Sequence, residues 1–299
     1  RRWGIGQRVR ELSIPEDFPR NIHFLTSITG YELGRYEFPA RQDVVQPYSP
    51  EFMQRCSQIW FDPLLRDTAA DMPNVTQLFY HRLDRFEQDG ESVTAYVTDT
   101  ESGEDKIIRA RYMVACDGAE SQIRDELGIE LIGDQSLSFN INVFFKSTDH
   151  EALFPKGRAT MQWMFNETGM WADIVSINGK DLWRLSIMKL PLGTEIAEAE
   201  AGDYIRQAVG QDLEFEIYSI LPWMRRRVVA ERYQDGRIFL AGDAVHQMSP
   251  TGGFGMNTGI QEAVDISWKL AAVLEGWGGE KLLESYDTER RPVAQLITN

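Results

Sequence analysis

The segment from Gly236 to Asn257 constrains this chain most, because an apolar run, a carboxylate and a group of glycines follow one another in it. Residues 237–240 have the apolar pattern of a buried strand, and Gly242 and Asp243 follow almost at once. A periodic stretch then predicts a helix from about Asn257 to Leu274. The glycines between the two elements are Gly252, Gly253 and Gly255. We therefore expect a strand, a glycine-rich turn and a helix in succession.

The residue types in this turn suit a flat ligand that carries hydroxyl groups. Asp243 can accept hydrogen bonds from a polyol, and glycines let the backbone approach a ring without a Cβ clash. The dipole of the following helix would stabilise negative charge on that ring. The alternative is an ordinary strand-to-helix loop in which Asp243 is only a turn residue. The number of features found in one order favours a binding site.

A second motif begins with the apolar run Tyr112 to Cys116 and continues into Asp117-Gly118. Such a run is typical of a buried parallel strand, whose carboxyl end meets a ligand crevice. Asp117-Gly118 alone would indicate a turn. The added matches at Ser121 and Arg124 favour a functional motif.

The remaining patterns predict two kinds of region. Residues 21–25 and 31–38 predict an antiparallel pair, and Asp62-Pro63 predicts the cap and first turn of a short helix to about Asp71. Strands are expected at 77–79, 83–87, 93–98 and 106–110, the last three as a meander.

Residues 136–229 form a different block, with alternating runs at 139–145 and 183–188. Its aromatic residues either line a pocket for a planar substrate or, for the most part, form the core of a sheet. They include Trp163, Phe165, Trp171, Trp183 and Trp223.

Both motifs resemble those of the FAD-dependent, single-component (class A) flavoprotein monooxygenases related to phenol and hydroxybenzoate hydroxylases. The resemblance continues through residues 261–270 and 285–292 and covers essentially the whole chain. It implies that Asp243, with Gly242, binds the ribityl chain of FAD, and that Asp117, Gly118 and Arg124 serve FAD and NAD(P)H. The residues that it places beside the isoalloxazine ring are Pro250, Gly252, Gly253, Gly255, Met256 and Asn257.

Two further residues are assigned less directly. Gln58 precedes the expected helix at Asp62, where the family commonly has a glutamine or arginine that contacts the flavin nucleotide. His246 lies near the flavin, and we interpret it as a structural or pocket-lining residue in preference to an acid–base catalyst. The basic run at residues 225–227 either steers the phosphates of NAD(P)H or is a solvated strand end.

The resemblance also implies a fold, which is α/β plus β. We expect a discontinuous, Rossmann-like parallel-sheet FAD-binding domain with a β-sheet substrate domain. The first would comprise residues 1–20, 49–135 and 230–299, and the second residues 21–48 and 136–229. The Gly-x-Gly-x-x-Gly turn with which family members begin is not found in this sequence, so we expect the first FAD-binding segment to be absent from it.

Composition excludes several other classes. With 46 acidic and 31 basic residues the formal charge is −15, which disfavours a nucleic-acid partner. The two cysteines, Cys56 and Cys116, lie in segments that suggest interior positions, and they indicate free thiols in a cytoplasmic protein. No apolar stretch approaches the ~20 residues of a membrane span. The spacing of histidines and cysteines gives no support for a metal site.

The expected function is therefore an FAD- and NAD(P)H-dependent monooxygenase. The resemblance implies that it hydroxylates a phenol or another electron-rich aromatic ring with O₂, through a flavin C4a-hydroperoxide. One alternative is a flavin-dependent halogenase or reductase of the same fold, and another is a non-catalytic fragment that only binds an aromatic ligand. Association into a homo-oligomer is compatible with the sequence.

Overall fold

The computed structural model describes residues 3–39, 51–250 and 252–298. The chain divides into two compact units. The first unit comprises residues 1–77 and 138–223, and the second comprises residues 78–137 and 224–299. The expected FAD-binding and substrate domains, which were assigned by role, stay a prediction.

The described residues contain seven α-helices and fourteen strands. The α-helices are α1 (Gly6–Leu12), α2 (Gln58–Ala70), α3 (Gln122–Glu126), α4 (His150–Leu153), α5 (Glu198–Val209), α6 (Phe254–Leu274) and α7 (Lys281–Thr298). The strands are β1 (Ile22–Leu25), β2 (Glu32–Tyr36), β3 (His81–Gln88), β4 (Val93–Asp99), β5 (Asp105–Ala110), β6 (Met113–Ala115), β7 (Leu131–Lys146), β8 (Met161–Asn166), β9 (Gly169–Ser176), β10 (Leu182–Leu190), β11 (Glu216–Ala230), β12 (Gln234–Asp235), β13 (Ile238–Leu240) and β14 (His246–Gln247). The mixture confirms the predicted α/β plus β class.

The large sheet has eight strands in the order β14-β11-β7-β10-β9-β8-β1-β2. β1 and β2 pair antiparallel, as predicted, with Ile22 opposite Tyr36, whereas β1 and β8 run parallel. One face of the sheet packs on α5, whose buried residues recur every three or four positions. The core of the first unit therefore lies between this face and α5. Its fully buried side chains include Leu25, Val143, Phe145, Trp183, Leu185 and Ile205.

The second unit contains two three-stranded sheets. β3, β4 and β5 form the predicted antiparallel meander. In the other sheet, in the order β12-β13-β6, β13 and β6 run parallel. The core of this unit surrounds β13 and includes Phe239, Leu240, Ile266 and Tyr286, all nearly or fully buried.

Several predicted bounds are wrong. α2 begins at Gln58, with Ser57 at the N-cap, so Asp62 is not a cap and Pro63 lies inside the helix. The proline removes only the backbone hydrogen bond to the carbonyl four residues earlier, and the turn before it still forms. α6 begins at Phe254, three residues before the predicted start.

Two expectations about individual segments also fail. Residues 77–79 form no strand and lead into a turn in which Tyr80 has a φ of 58°. β6 is not buried along its whole length, because Val114 is 37% exposed. Both cysteines are free, as expected, but Cys116 is exposed, since it lies just beyond the end of this short strand.

Candidate functional site

The two sequence motifs meet at one edge of a parallel strand pair. Leu240 of β13 lies opposite Ala115 of β6, and the N–H of Ala241 donates to the carbonyl of Ala115 at 3.0 Å. Both strands run in the same direction, so the segments that follow them leave the sheet at the same edge. Asp117-Gly118 and Gly242-Asp243 are thus neighbouring turns at the position where parallel sheets bind ligands.

Asp117 is held by its own motif. One carboxylate oxygen accepts from the Ser121 hydroxyl at 2.6 Å, and the other accepts from the Ile123 N–H at 3.2 Å. The Ser121 hydroxyl in turn accepts from the N–H of Arg124 at 3.0 Å and caps α3. Asp117 therefore shapes its own loop, and Gly118, with a φ of 87°, supplies the backbone conformation that the turn requires.

Arg124 ties the two turns together. The residue is 5% exposed, and Nη1 donates to the carbonyl of Ala119 at 3.1 Å and to that of Ala244 at 3.2 Å. Ala119 belongs to the turn after β6, and Ala244 to the turn after β13. The structure thus shows Arg124 as a buried bridge between two backbone segments, and its predicted part in cofactor binding stays a prediction.

Asp243 lies in a single 3₁₀ turn, Gly242–Ala244, directly after β13. Its side chain is exposed and makes no hydrogen bond to any residue within the described ranges. Partial desolvation raises the pKa of the Asp243 carboxyl. Two smaller effects oppose each other, because the charge of His246 lowers this pKa and that of Glu262 raises it. The turn therefore presents an acceptor that is free for hydroxyl donors.

A buried pair lies beneath this turn. His246 and Glu262 are both 0% exposed, and Nε2 of His246 is 3.0 Å from Oε2 of Glu262. The same oxygen accepts from the N–H of Gly242 at 2.9 Å. Sequence reasoning missed Glu262. A signal existed, because this charged residue shares the buried face of α6 with Thr258, Ile266 and Ala272.

The N-terminus of α6 is open and lined by glycine. Gly253 is the N-cap with a φ of 69°, its N–H donates to the carbonyl of Pro250 at 3.0 Å, and the first turn contains no acidic residue. A Cβ added at Gly253 or Gly255 would meet no atom within 4 Å. The first N–H groups of this 21-residue helix have no partner within the helix, which makes the site suitable for an electron-rich or anionic group.

The other predicted residues fall into three groups. Pro250, Met256 and Asn257 are exposed near the start of α6, and the Asn257 amide donates to the carbonyl of Gly253 at 2.7 Å. Gln58 is exposed at the start of α2 in the first unit. Two arginines of the basic run form ion pairs, Arg226 with Glu120 at 2.7 Å and Arg227 with Asp134 at 2.5 Å. These pairs offset part of the positive charge of the run.

Two kinds of feature are not found in the described part of the chain. It contains no cluster of three or more histidine, cysteine or acidic side chains that could hold a metal ion. None of its helices is long and apolar enough to cross a membrane.

The turn after β13 and the start of α6 fit a flavin nucleotide. Asp243 supplies an unpaired acceptor for polyol hydroxyls, and the glycines leave open space in which a ring can approach the backbone. Backbone N–H groups at the start of α6 suit the electron-rich edge of such a ring. The fold and the arrangement of these residues are typical of α/β proteins that bind a nucleotide cofactor.

Comparison with known proteins identifies the family. A family model described as "FAD binding domain" matches residues 1–299, and the chain belongs to this family of FAD-dependent aromatic monooxygenases. It is 39% identical over 256 residues to a putative polyketide hydroxylase of Streptomyces halstedii, covering 84% of this chain and 46% of that protein. It is 33% identical over 311 residues to 4-methyl-5-nitrocatechol 5-monooxygenase of a Burkholderia species, covering 99% of this chain and 55% of that protein.

A solved structure supports the same assignment. The ternary complex of aklavinone-11 hydroxylase with FAD and aklavinone matches with a TM-score of 0.87 and 27% identity, over 99% of this chain and 57% of that one. The chain thus spans about half the length of the curated relatives that it matches. The family and the FAD cofactor predicted from the motifs are confirmed, while the roles of individual site residues stay predictions.

Proposed function

We propose that this protein binds FAD at the edge formed by β6 and β13 and acts as an NAD(P)H-dependent monooxygenase. Its substrate would be a phenol or another electron-rich aromatic compound, hydroxylated with oxygen from O₂. The observation that carries the proposal is the exposed, unpaired carboxylate of Asp243 beside the open start of α6. Membership of the FAD-binding-domain family identifies the cofactor that such a site would hold.

Each predicted residue has a role in this proposal. Asp243 accepts hydrogen bonds from the ribityl hydroxyls, with Gly242 bringing the backbone close. The isoalloxazine ring lies against the start of α6, where Gly253 and Gly255 leave space and the helix N–H groups face the ring edge. Asp117, Gly118 and Arg124 shape the neighbouring turn. Gln58, Pro250, Gly252, Met256 and Asn257 are further proposed contacts.

Bound FAD supplies the transfer of electrons from NAD(P)H and the activation of O₂. The protein would contribute a fixed orientation, exclusion of water and a surface that recognises the substrate. No side chain has to act as a nucleophile. We interpret His246 as a structural residue, because it is fully buried and hydrogen-bonded to Glu262.

The names of the relatives favour phenolic substrates, and an aromatic group in the first unit suits them. Phe24 contacts Trp163 edge-on at 5.4 Å and Phe165 at 6.2 Å. Phe24 and Trp163 are half-buried, whereas Leu25 and Met164 beside them in the sequence are fully buried in the core. Because side chains alternate along a strand, the aromatic group belongs to the sheet face away from α5. We propose that the substrate ring packs on this face.

The proposal extends to the location of the protein and its association with itself. Two free cysteines and the finding that no described helix could cross a membrane support a cytoplasmic location. Homo-oligomer formation stays a prediction.

The first test is the visible absorption spectrum of the purified protein before and after incubation with FAD and desalting. We expect a retained flavin spectrum. We expect Asp243→Ala to weaken FAD affinity by about tenfold to a hundredfold, because the polyol hydroxyls lose a charged acceptor. Asp105→Ala, which removes an exposed carboxylate from β5, is the matched control and should bind FAD as the wild type does. Equal affinity in both variants would remove Asp243 from the site.

The reaction is tested separately by following NAD(P)H oxidation and product formation with simple phenols in air. We expect a hydroxylated product, with no requirement for halide. A halogenated product formed only with halide would indicate a halogenase instead. Binding of phenols without NAD(P)H oxidation by the FAD-loaded protein would indicate a binding protein.

A further inference from the structure

A carboxylate without an assigned role lies directly beneath the Gly242–Ala244 turn. Glu262 is 0% exposed, and its Oε2 accepts from the Gly242 N–H at 2.9 Å and lies 3.0 Å from Nε2 of His246. A buried carboxyl group is costly unless donors meet it. Both hydrogen bonds of this carboxyl group are at Oε2, while Oε1 is buried without a hydrogen bond, 3.0 Å from the same imidazole nitrogen. The two contacts at Oε2 are therefore the ones that hold the Glu262 side chain.

The hydrogen bonds assign the proton on His246. Nδ1 of the imidazole is buried and has no partner within the described ranges. A ring with a hydrogen on Nε2 donates to Glu262, and Nδ1 is the nitrogen left without a partner. The opposite tautomer would bury an unpaired N–H and set a lone pair against the carboxylate.

The turn is fixed at both of its ends. Gly242, with a φ of 66°, is held through its N–H by Glu262, and Ala244 is held through its carbonyl by Arg124 at 3.2 Å. α6 adds a steric restraint, because a Cβ on Gly259 would lie 3.2 Å from the Cα of Gly242. Asp243 lies between these two residues, and its side chain makes no hydrogen bond within the described ranges.

We propose that Glu262 is a positioning residue that, together with His246, sets the direction of the Asp243 carboxylate toward the hydroxyl groups of FAD. The proposal rests on the proposed function of Asp243 as the acceptor for the ribityl chain. Glu262 makes its contribution through the backbone of Gly242 and does not touch the cofactor. A rigid turn holds the acceptor in the bound geometry before FAD arrives, which reduces the ordering cost of binding.

The first experiment measures FAD affinity in Glu262→Gln by quenching of flavin fluorescence. Glutamine has nearly the same size but replaces one acceptor oxygen by a donor and removes the charge. We expect about tenfold weaker binding. The matched control is Asp265→Asn, which removes a carboxylate one turn further along α6 that pairs with Lys269 at 2.8 Å and not with the turn. The control should bind FAD with wild-type affinity.

A double-mutant cycle separates positioning from general destabilisation. If Glu262 acts through Asp243, the double variant Asp243→Ala, Glu262→Gln should bind FAD no more weakly than Asp243→Ala alone. Losses that simply add would overturn the proposal, and so would wild-type affinity in Glu262→Gln.

The second experiment needs no cofactor and therefore distinguishes the two proposals. Amide hydrogen exchange at Gly242, resolved by residue, should be at least about tenfold faster in Glu262→Gln than in the wild type and in Asp265→Asn. If the wild type binds no FAD but this exchange result holds, the proposed function fails while the role of Glu262 in the turn stands. Unchanged protection of Gly242 would refute the role of Glu262 itself.

Discussion

At the scale of single residues, the site depends on side chains that bind backbone groups more than on side chains that point into solvent. Arg124 and Glu262 are almost fully buried and hydrogen-bonded to main-chain atoms of the two turns, and buried Ser121 accepts from the Arg124 N–H in α3. Asp243 alone among the motif carboxylates is left unpaired within the described residues. The proposed site thus combines one exposed acceptor with several buried residues that hold the turns beside it.

Replacement of Arg124 by methionine tests the bridge between the turns. The variant leaves the carbonyl of Ala244 without its donor, so we expect the free energy of unfolding to fall by about 2 kcal/mol and FAD affinity to fall with it. Urea denaturation of the cofactor-free protein measures the first effect. Arg232→Met is the matched control, because Arg232 also donates to a backbone carbonyl, that of Leu127 at 2.9 Å, but is 38% exposed. If Arg124→Met lowers the free energy of unfolding no more than Arg232→Met does, the bridge between the turns contributes little to stability.

The sequence predicted the position of the site but not the hydrogen bonds of its buried residues. The order of strand, Gly242, Asp243, glycines and helix predicts the ligand site, because such a pattern has few structural explanations. Glu262 carried a weaker signal, since its hydrogen bond to Gly242 depends on how closely α6 approaches the turn. Arg124 matched a family motif, but only coordinates show that its guanidinium reaches Ala244, 120 positions away.

At the scale of elements, the approach of α6 to the turn after β13 decides the geometry of the site. Gly259 permits that approach, whereas Gly255, in the first turn of the same helix, faces open space. Sequence patterns predicted the strand and the helix but not their spacing, because helical periodicity does not reveal which residue meets the neighbouring backbone. The misplaced start of α2 has a related cause. An Asp-Pro pair is a strong helix-start signal, yet the turn before it formed from residues 58–61.

A pair of alanine substitutions tests this contact. Gly255→Ala should raise the free energy of unfolding of the cofactor-free protein by up to about 1 kcal/mol, because alanine favours a helix more than glycine does. Gly259→Ala should leave the free energy of unfolding unchanged or lower it, since the new methyl group crowds the Cα of Gly242. Urea unfolding of both variants measures the difference. Equal stabilisation by both would show that α6 has room to move away from the turn.

At the scale of the whole molecule, two effects of acid oppose each other. The formal charge of −15 means that protonation of carboxylates relieves repulsion in the folded state. Buried His23 acts in the other direction, because it is 1% exposed and neither ring nitrogen has a partner in the described part of the chain. Burial first, then the charge of Arg35, lowers the pKa of His23 below its usual 6.5, while Lys156 lowers it further and Glu32 and Glu37 oppose the shift.

The sign of the His23 contribution follows from linkage. Below pH 6.5 the unfolded chain binds a proton at His23, whereas the folded protein still keeps this histidine neutral. The contribution of His23 to the free energy of unfolding is therefore fully present above pH 6.5 and is lost as the pH falls toward the folded pKa. The slope is at most about 1.4 kcal/mol per pH unit. Urea unfolding between pH 7.5 and 5 should therefore show a steeper acid loss in the wild type than in His23→Leu. His150→Gln, which replaces an exposed histidine of the same unit, should retain the wild-type slope. Parallel curves for wild type and His23→Leu would mean that His23 binds its proton equally in the folded and unfolded states. The pH dependence of stability would then follow from the charge of the whole molecule.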